Sequence, residues 1–213
     1  MLKSLLLACL IWTVSIETGQ TVTELANLKL DMSRSQTEQA LVNRAALILM
    51  VNCDGSYQSY PTNRTIPNGR LVHYVQNLKV EKQVKGEVGR DIRLVTTGVE
   101  PLPDPSHSSN ITYPGALAEG KYALFLQPVK GTNFYSLVGG WQGVYPIMDG
   151  KTIALKGHGF SRFDNLSPEQ FERTVKNLLH PRNRTTFLQQ RQSLSPRETT
   201  IQWTRANTAV VLR

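Results

Sequence analysis

The sequence predicts a mainly β domain, barrel-like and flanked by helices, on three observations. Between Gly120 and Leu155, short apolar runs alternate with well-formed turns, ending in Asp149-Gly150, a strong two-residue hairpin signal. A continuous apolar run at Ala46–Val51, closed by Asp54-Gly55, is followed by a long alternating stretch at Leu71–Val84. A helix signal then stands at Leu166–Phe171.

The chain has 213 residues, enough for one domain with appendages and a core that needs neither disulfide nor metal. Lysine and arginine number 24 against 16 acidic residues, a net charge of +8 that favours anionic partners: nucleic acid, lipid head groups or cell-wall polyanions. Of the two cysteines, Cys9 falls in the N-terminal apolar run, so Cys53 stands alone and no disulfide framework exists.

In order, residues 1–15 read as a secretory signal peptide: Lys3 supplies a charge, Leu5–Val14 is apolar, and Thr13, Val14 and Ser15 suit cleavage. The run falls short of the roughly 20 residues of a spanning helix. Residues 16–45 form a helical or irregular lead-in marked by Leu25, Leu28 and Leu30, in which Ser35 and Glu38 have capping-box spacing before a short helix. Ala46–Val51 is a buried first strand, and Gln58–Gly69, rich in proline, threonine and asparagine, is a surface loop. In Leu71–Val84 one face carries Tyr74, Leu78, Val80 and Val84; the other, with His73, Asn77, Lys79 and Glu81, is expected to be wet.

Lys85–Gly89 turns the chain into a strand around Ile92, Leu94 and Val95, and Glu100–Gly115, with four prolines, reads as loop. Tyr122–Leu126, Phe134–Val138, Val144–Met148 and Thr152–Leu155 make a four-strand meander. Ser167 caps the following helix, Pro168 opens it, Gln170 completes the box and Leu166 staples to Phe171. Phe171, Val175, Leu178 and Leu179 give it an apolar face toward the barrel, and Pro181 ends it, so that the barrel domain with its helix spans 46–180. Residues 181–213 are a basic tail; from 161 onward nine basic residues face four acidic ones, a balance of +5.

The buried strand, the long strand ending in Val84-Lys85-Gly86, the Ile92/Leu94 strand, Gly120–Leu126 and Gly139-Gly140-Trp141-Gln142-Gly143 together resemble small, uncharacterised exported proteins of Gram-positive bacteria. The likeness covers about residues 40 to 180. It implies an OB-type barrel, remotely similar to that of netrins and metalloproteinase inhibitors, with a C-terminal helix packed on it. The N-terminal cysteine by which those inhibitors reach zinc has no counterpart here, so inhibition of that kind is not implied.

No G-x-S-x-G elbow, phosphate-binding loop, G-x-G-x-x-G or H-E-x-x-H motif is present, and His73, His107, His158 and His180 lack paired spacing, so no cofactor or metal is expected. The chain is therefore expected to be a non-enzymatic protein of the cell envelope or extracellular space. Trp141, between glycines, reads first as the large side chain that plugs one end of the barrel and second, with Gln142, as a candidate ligand residue. Arg182, Arg184 and Arg191 are candidates for an anionic wall polymer or membrane surface. One alternative is a hydrolase using Cys53 or His158; another is an OB-fold nucleic-acid binder, which export disfavours. Asn63, Asn110 and Asn183 each begin an Asn-x-Thr glycosylation triplet.

Overall fold

The computed structural model describes residues 25–67 and 69–180; the expected signal peptide and basic tail lie outside them. The chain divides into two units, the first ending at Leu179. Along it run helix α1 (Glu38–Arg44), strands β1 (Leu47–Cys53), β2 (Gln58–Ile66), β3 (Gly69–Lys85) and β4 (Asp91–Glu100), and the one-turn helix α2 (Ser108–Thr112). Strands β5 (Gly120–Pro128), β6 (Tyr135–Leu137), β7 (Val144–Met148) and β8 (Lys151–Thr152) precede helix α3 (Pro168–Leu179).

Five strands close a barrel in the order β1-β3-β4-β6-β5 and back to β1. The closing pair, β1 with β5, is antiparallel from Leu47↔Leu126 to Cys53↔Gly120, while β4 meets β6 in parallel at Leu94↔Tyr135. Counted among barrel strands alone the order is 1-2-3-5-4, which is the OB barrel. Strand β3 is its spine: residues 70–79 pair with β4 on one edge, and the other edge takes β2 first and β1 from Lys79 onward.

Alternation along the strands sorts the apolar residues into three groups. Leu49, Val51, Leu78, Leu94, Leu124 and their neighbours fill the interior. On the outer side of β1 and β5, Ile48, Met50 and Phe125 pack beneath Leu41 and Val42 of α1 and Phe171, Val175 and Leu178 of α3. On the outer side of β3 and β4, Val75, Val95 and Phe134 are covered by Leu25, Leu28 and Leu30. Helix α3 begins as its sequence dictates: Ser167 Oγ accepts from the Gln170 N–H at 3.3 Å and Gln170 Oε1 from the Ser167 N–H at 2.8 Å.

Several expectations are corrected. Gln58–Ile66 is an edge strand, because β3 offers a free edge whose backbone groups pair with it whatever its side chains, and a register shift between Pro61 and Thr65 absorbs the proline. The supposed wet face of β3 is dry along its first half, His73 being 4% exposed, because the lead-in lies over it. Thr37, not Ser35, caps α1, its Oγ1 accepting from the Ala40 N–H at 3.1 Å. The loop after β4 contains α2. The last four strands are no meander: β7 returns to β5, on the same edge as β6. Gly139 and Gly140, at φ +68° and +60°, take the left-handed backbone that turns the chain back, and β8 keeps only Lys151 and Thr152.

Candidate binding groove at the mouth of the barrel

Tyr74 sits where β3 enters the barrel, and its ring lies against Gly98 of β4, where an added Cβ would come within 2.4 Å of the ring. Glycine is thus the residue that lets the ring lie down. Tyr57 stands edge-on to it at 5.0 Å between centroids and is 56% exposed. With Tyr113, Trp141, Leu102 and Pro103, the two tyrosines line a groove of about 440 Å³.

The wall opposite β3 is held by bonds to main-chain carbonyls. Gly115 donates to the Thr97 carbonyl at 2.9 Å, its own carbonyl accepts from Thr96 Oγ1 at 2.6 Å, and the Trp141 indole N–H donates to the Asn110 carbonyl at 2.6 Å. Trp141 is half-buried against the interior cluster and leaves one side to the groove. At the far end the Tyr74 hydroxyl lies 3.4 Å from Glu100, whose carboxylate also pairs with Arg70 at 3.2 Å. Burial first, and the Glu100 charge second, push the Tyr74 phenol up to about 12, so it stays protonated.

The other expected site residues fall elsewhere. Gln142, 2% exposed, turns away from the groove: its Oε1 accepts from the Ser35 N–H at 2.7 Å and its Nε2 donates to the Ser35 carbonyl at 3.0 Å. Its amide thereby ties the lead-in to the barrel, buried away from the groove. Arg182, Arg184 and Arg191, like Asn183, lie outside the described residues. Asn63 is exposed, whereas the Asn110 amide donates to the Asp104 carbonyl at 2.7 Å and the Pro105 carbonyl at 3.3 Å.

Cys53 is fully buried in the barrel, its thiol 3.7 Å from the Leu117 carbonyl and 3.4 Å from the Gln76 amide. Burial pushes it up, against the thiolate a nucleophile needs, and these polar partners include no base. His158 lies 6.4 Å from the Trp141 ring, its affinity for a proton lowered by burial and by Arg34, and among the described residues its ring has no hydrogen bond to a nucleophile. Among the described residues, no group of three or more His, Cys, Asp or Glu is placed to hold a metal.

The face of an OB barrel that takes nucleic acid spans its second and third strands, here β3 and β4, between the loops after the first and fourth. The lead-in occupies that place. Leu25 is 3% exposed on Val75, Val95 and Phe134, and the Leu28 carbonyl meets His73 Nε2 at 3.2 Å. Because a carbonyl only accepts, Nε2 carries the proton and Nδ1, 3.1 Å from Thr97 Oγ1, accepts from that hydroxyl.

Sequence reasoning found Trp141 through its flanking glycines but missed Tyr57, Tyr74 and Tyr113; Gly98, unremarkable in a β-rich stretch, was the available sign that a ring is pressed to the backbone. Comparison with protein families, with curated proteins and with solved structures gives no match for this chain.

Proposed function

We propose that the protein is an exported, non-enzymatic binding barrel of the cell envelope or extracellular space, with its ligand seat at the barrel mouth. The observation that carries the reading is the Tyr57/Tyr74/Tyr113/Trp141 groove: three phenol rings and an indole on a wall fixed by bonds to main-chain carbonyls, with no nucleophile–base pair beside them among the described residues. The signal-like residues 1–15 and the resemblance to exported Gram-positive proteins supply the compartment. Among the described residues no helix is long and apolar enough to cross a membrane. The arginines beyond Pro181 are the second element: they would hold the protein to anionic wall polymer or lipid, each contributing on the order of 1 kcal/mol near the surface.

Cell fractionation tests the first half: the mature protein is expected outside the cytoplasm, without Met1–Ser15, and a cytoplasmic protein that keeps them ends the reading. Deleting Arg182–Arg213 tests the second, with loss of retention on anionic vesicles at low salt as the expected result. The hydrolase reading is tested by Cys53→Ala and His158→Ala in an activity screen, where neither is expected to change turnover.

A further inference from the structure

Tyr57 is a ridge between two depressions of different chemistry. On one side lies the aromatic groove; on the other, a hollow of about 580 Å³ bordered by Ser56, Gln58, Asn77 and Arg93. Building on the binding reading above, we propose that the occupant is an oligosaccharide chain laid across Tyr57, its ring faces stacked in the groove and its hydroxyls paired in the hollow.

Three observations favour that chemistry. The groove offers the exposed Tyr57 ring and the half-buried Tyr113 and Trp141 rings, against which the C–H faces of pyranose units stack, over a floor made by the buried Tyr74. The hollow offers the Asn77 amide, the Gln58 N–H groups and the acceptor side of the Ser56 hydroxyl, whose proton goes to Asp54 while Gln58 Oε1 accepts from Tyr60, and these match a ligand that donates and accepts along its whole length. A proline-rich peptide, the other ligand that aromatic grooves accept, presents carbonyls alone to such a surface, so it would leave the acceptors of the hollow unused, and the indole N–H it would meet in the groove is already committed to Asn110. Charge, finally, is limited: Arg70 is paired with Glu100, and Arg93, the cation bordering the hollow, is engaged with the Phe134 ring at 4.2 Å and the Asn133 side chain at 3.2 Å. Recognition by stacking and hydroxyl pairing is insensitive to salt, unlike attraction to the arginine tail.

The test is calorimetric titration of the full chain with chitohexaose, cellohexaose and a decaproline peptide in 0.05 M and 0.5 M sodium chloride. Binding of at least one hexasaccharide is expected, within twofold at the two salt concentrations, and weakened tenfold or more by Tyr57→Ala. Tyr57 is largely exposed, so the variant folds; Met148→Ala, also exposed, is the control and is expected to bind as the parent does. Should decaproline bind through Tyr57 and the sugars not, the groove stands as a binding site and the saccharide assignment falls. Should none of the three bind, or Tyr57→Ala leave sugar binding unchanged, the saccharide seat is overturned; with no probe bound, the groove loses its support as well.

Discussion

The barrel has two covered outer faces, and they are closed by different means. Over β1 and β5, α1 and α3 complete a cluster in which Phe125, Tyr145, Phe163 and Phe171 are each fully buried and all six ring pairs lie 5.3–6.3 Å apart. Over β3 and β4 the cover is a strap, residues 25–36, that pairs with no strand and is held by three leucines, the His73 bond, the Gln142 pair, and single side-chain bonds: Arg44 to Asp31, Ser33 and Ser35, Gln127 to the Asp31 carbonyl, and Arg34 to the Gly157 carbonyl. A helix satisfies its own backbone and can devote one face to packing. An irregular strap must find partners for its backbone groups one at a time, so it is the cover expected to open first.

The largest effect expected is at Phe171. Truncation to alanine removes one of the four rings and should cost about 3–5 kcal/mol of global stability, read from urea unfolding. If the loss were under about 1 kcal/mol, the helical side would be no firmer than the strap. Next is Gln142→Ala, which leaves the Ser35 N–H and carbonyl unpaired in a buried place at about 1–3 kcal/mol. Its mark is local: amide exchange should quicken through Met32–Ser35 while α3 keeps its protection, and equal quickening of both would erase the distinction.

A pH series sharpens it further. Burial lowers the His73 imidazole below its usual value of 6.5, with Arg64 adding to the effect. The strap-closed state therefore binds its proton later than the open one. Its advantage is whole above pH 6.5 and is lost as pH falls from there through the lower, folded value. Protection of the strap amides, taken relative to their intrinsic exchange rate at each pH, should accordingly fall between pH 7 and 5, and His73→Gln, which keeps a donor for Leu28 but cannot titrate, should flatten the response. The smallest effect is expected at Thr37→Ala, which removes the cap of a seven-residue helix at about 1 kcal/mol without favouring either face.

What could be read in advance follows from where the determining contacts lie. Helix α3 was legible because cap, proline and staple sit within six residues of one another. Strand β2 was not, since Pro61, Thr62, Asn63 and Arg64 have loop chemistry and the strand exists through the edge of β3. The strap was marked by its leucines but not placed, because Leu25, Leu28 and Leu30 fit no period and their partners lie between Val75 and Phe134. The groove was half visible: Trp141 announced itself, while Tyr57, Tyr74 and Tyr113 meet only once β3, β4 and the α2 segment are folded together.

Cys53 turns the difference between the two covers into something that can be timed. Sealed inside the barrel and held as a neutral thiol, it is chemically silent as long as β1 stays paired with β5. Strap release leaves it silent, since the strap covers the opposite surface of the wall. A thiol reagent therefore acts as a clock on barrel opening alone, running slowly at pH 7 and at pH 5 alike if the strap lifts by itself. In an oxidising compartment the same seal keeps this thiol from cross-linking one copy to another, so covalent dimers would be a record of molecules that had opened.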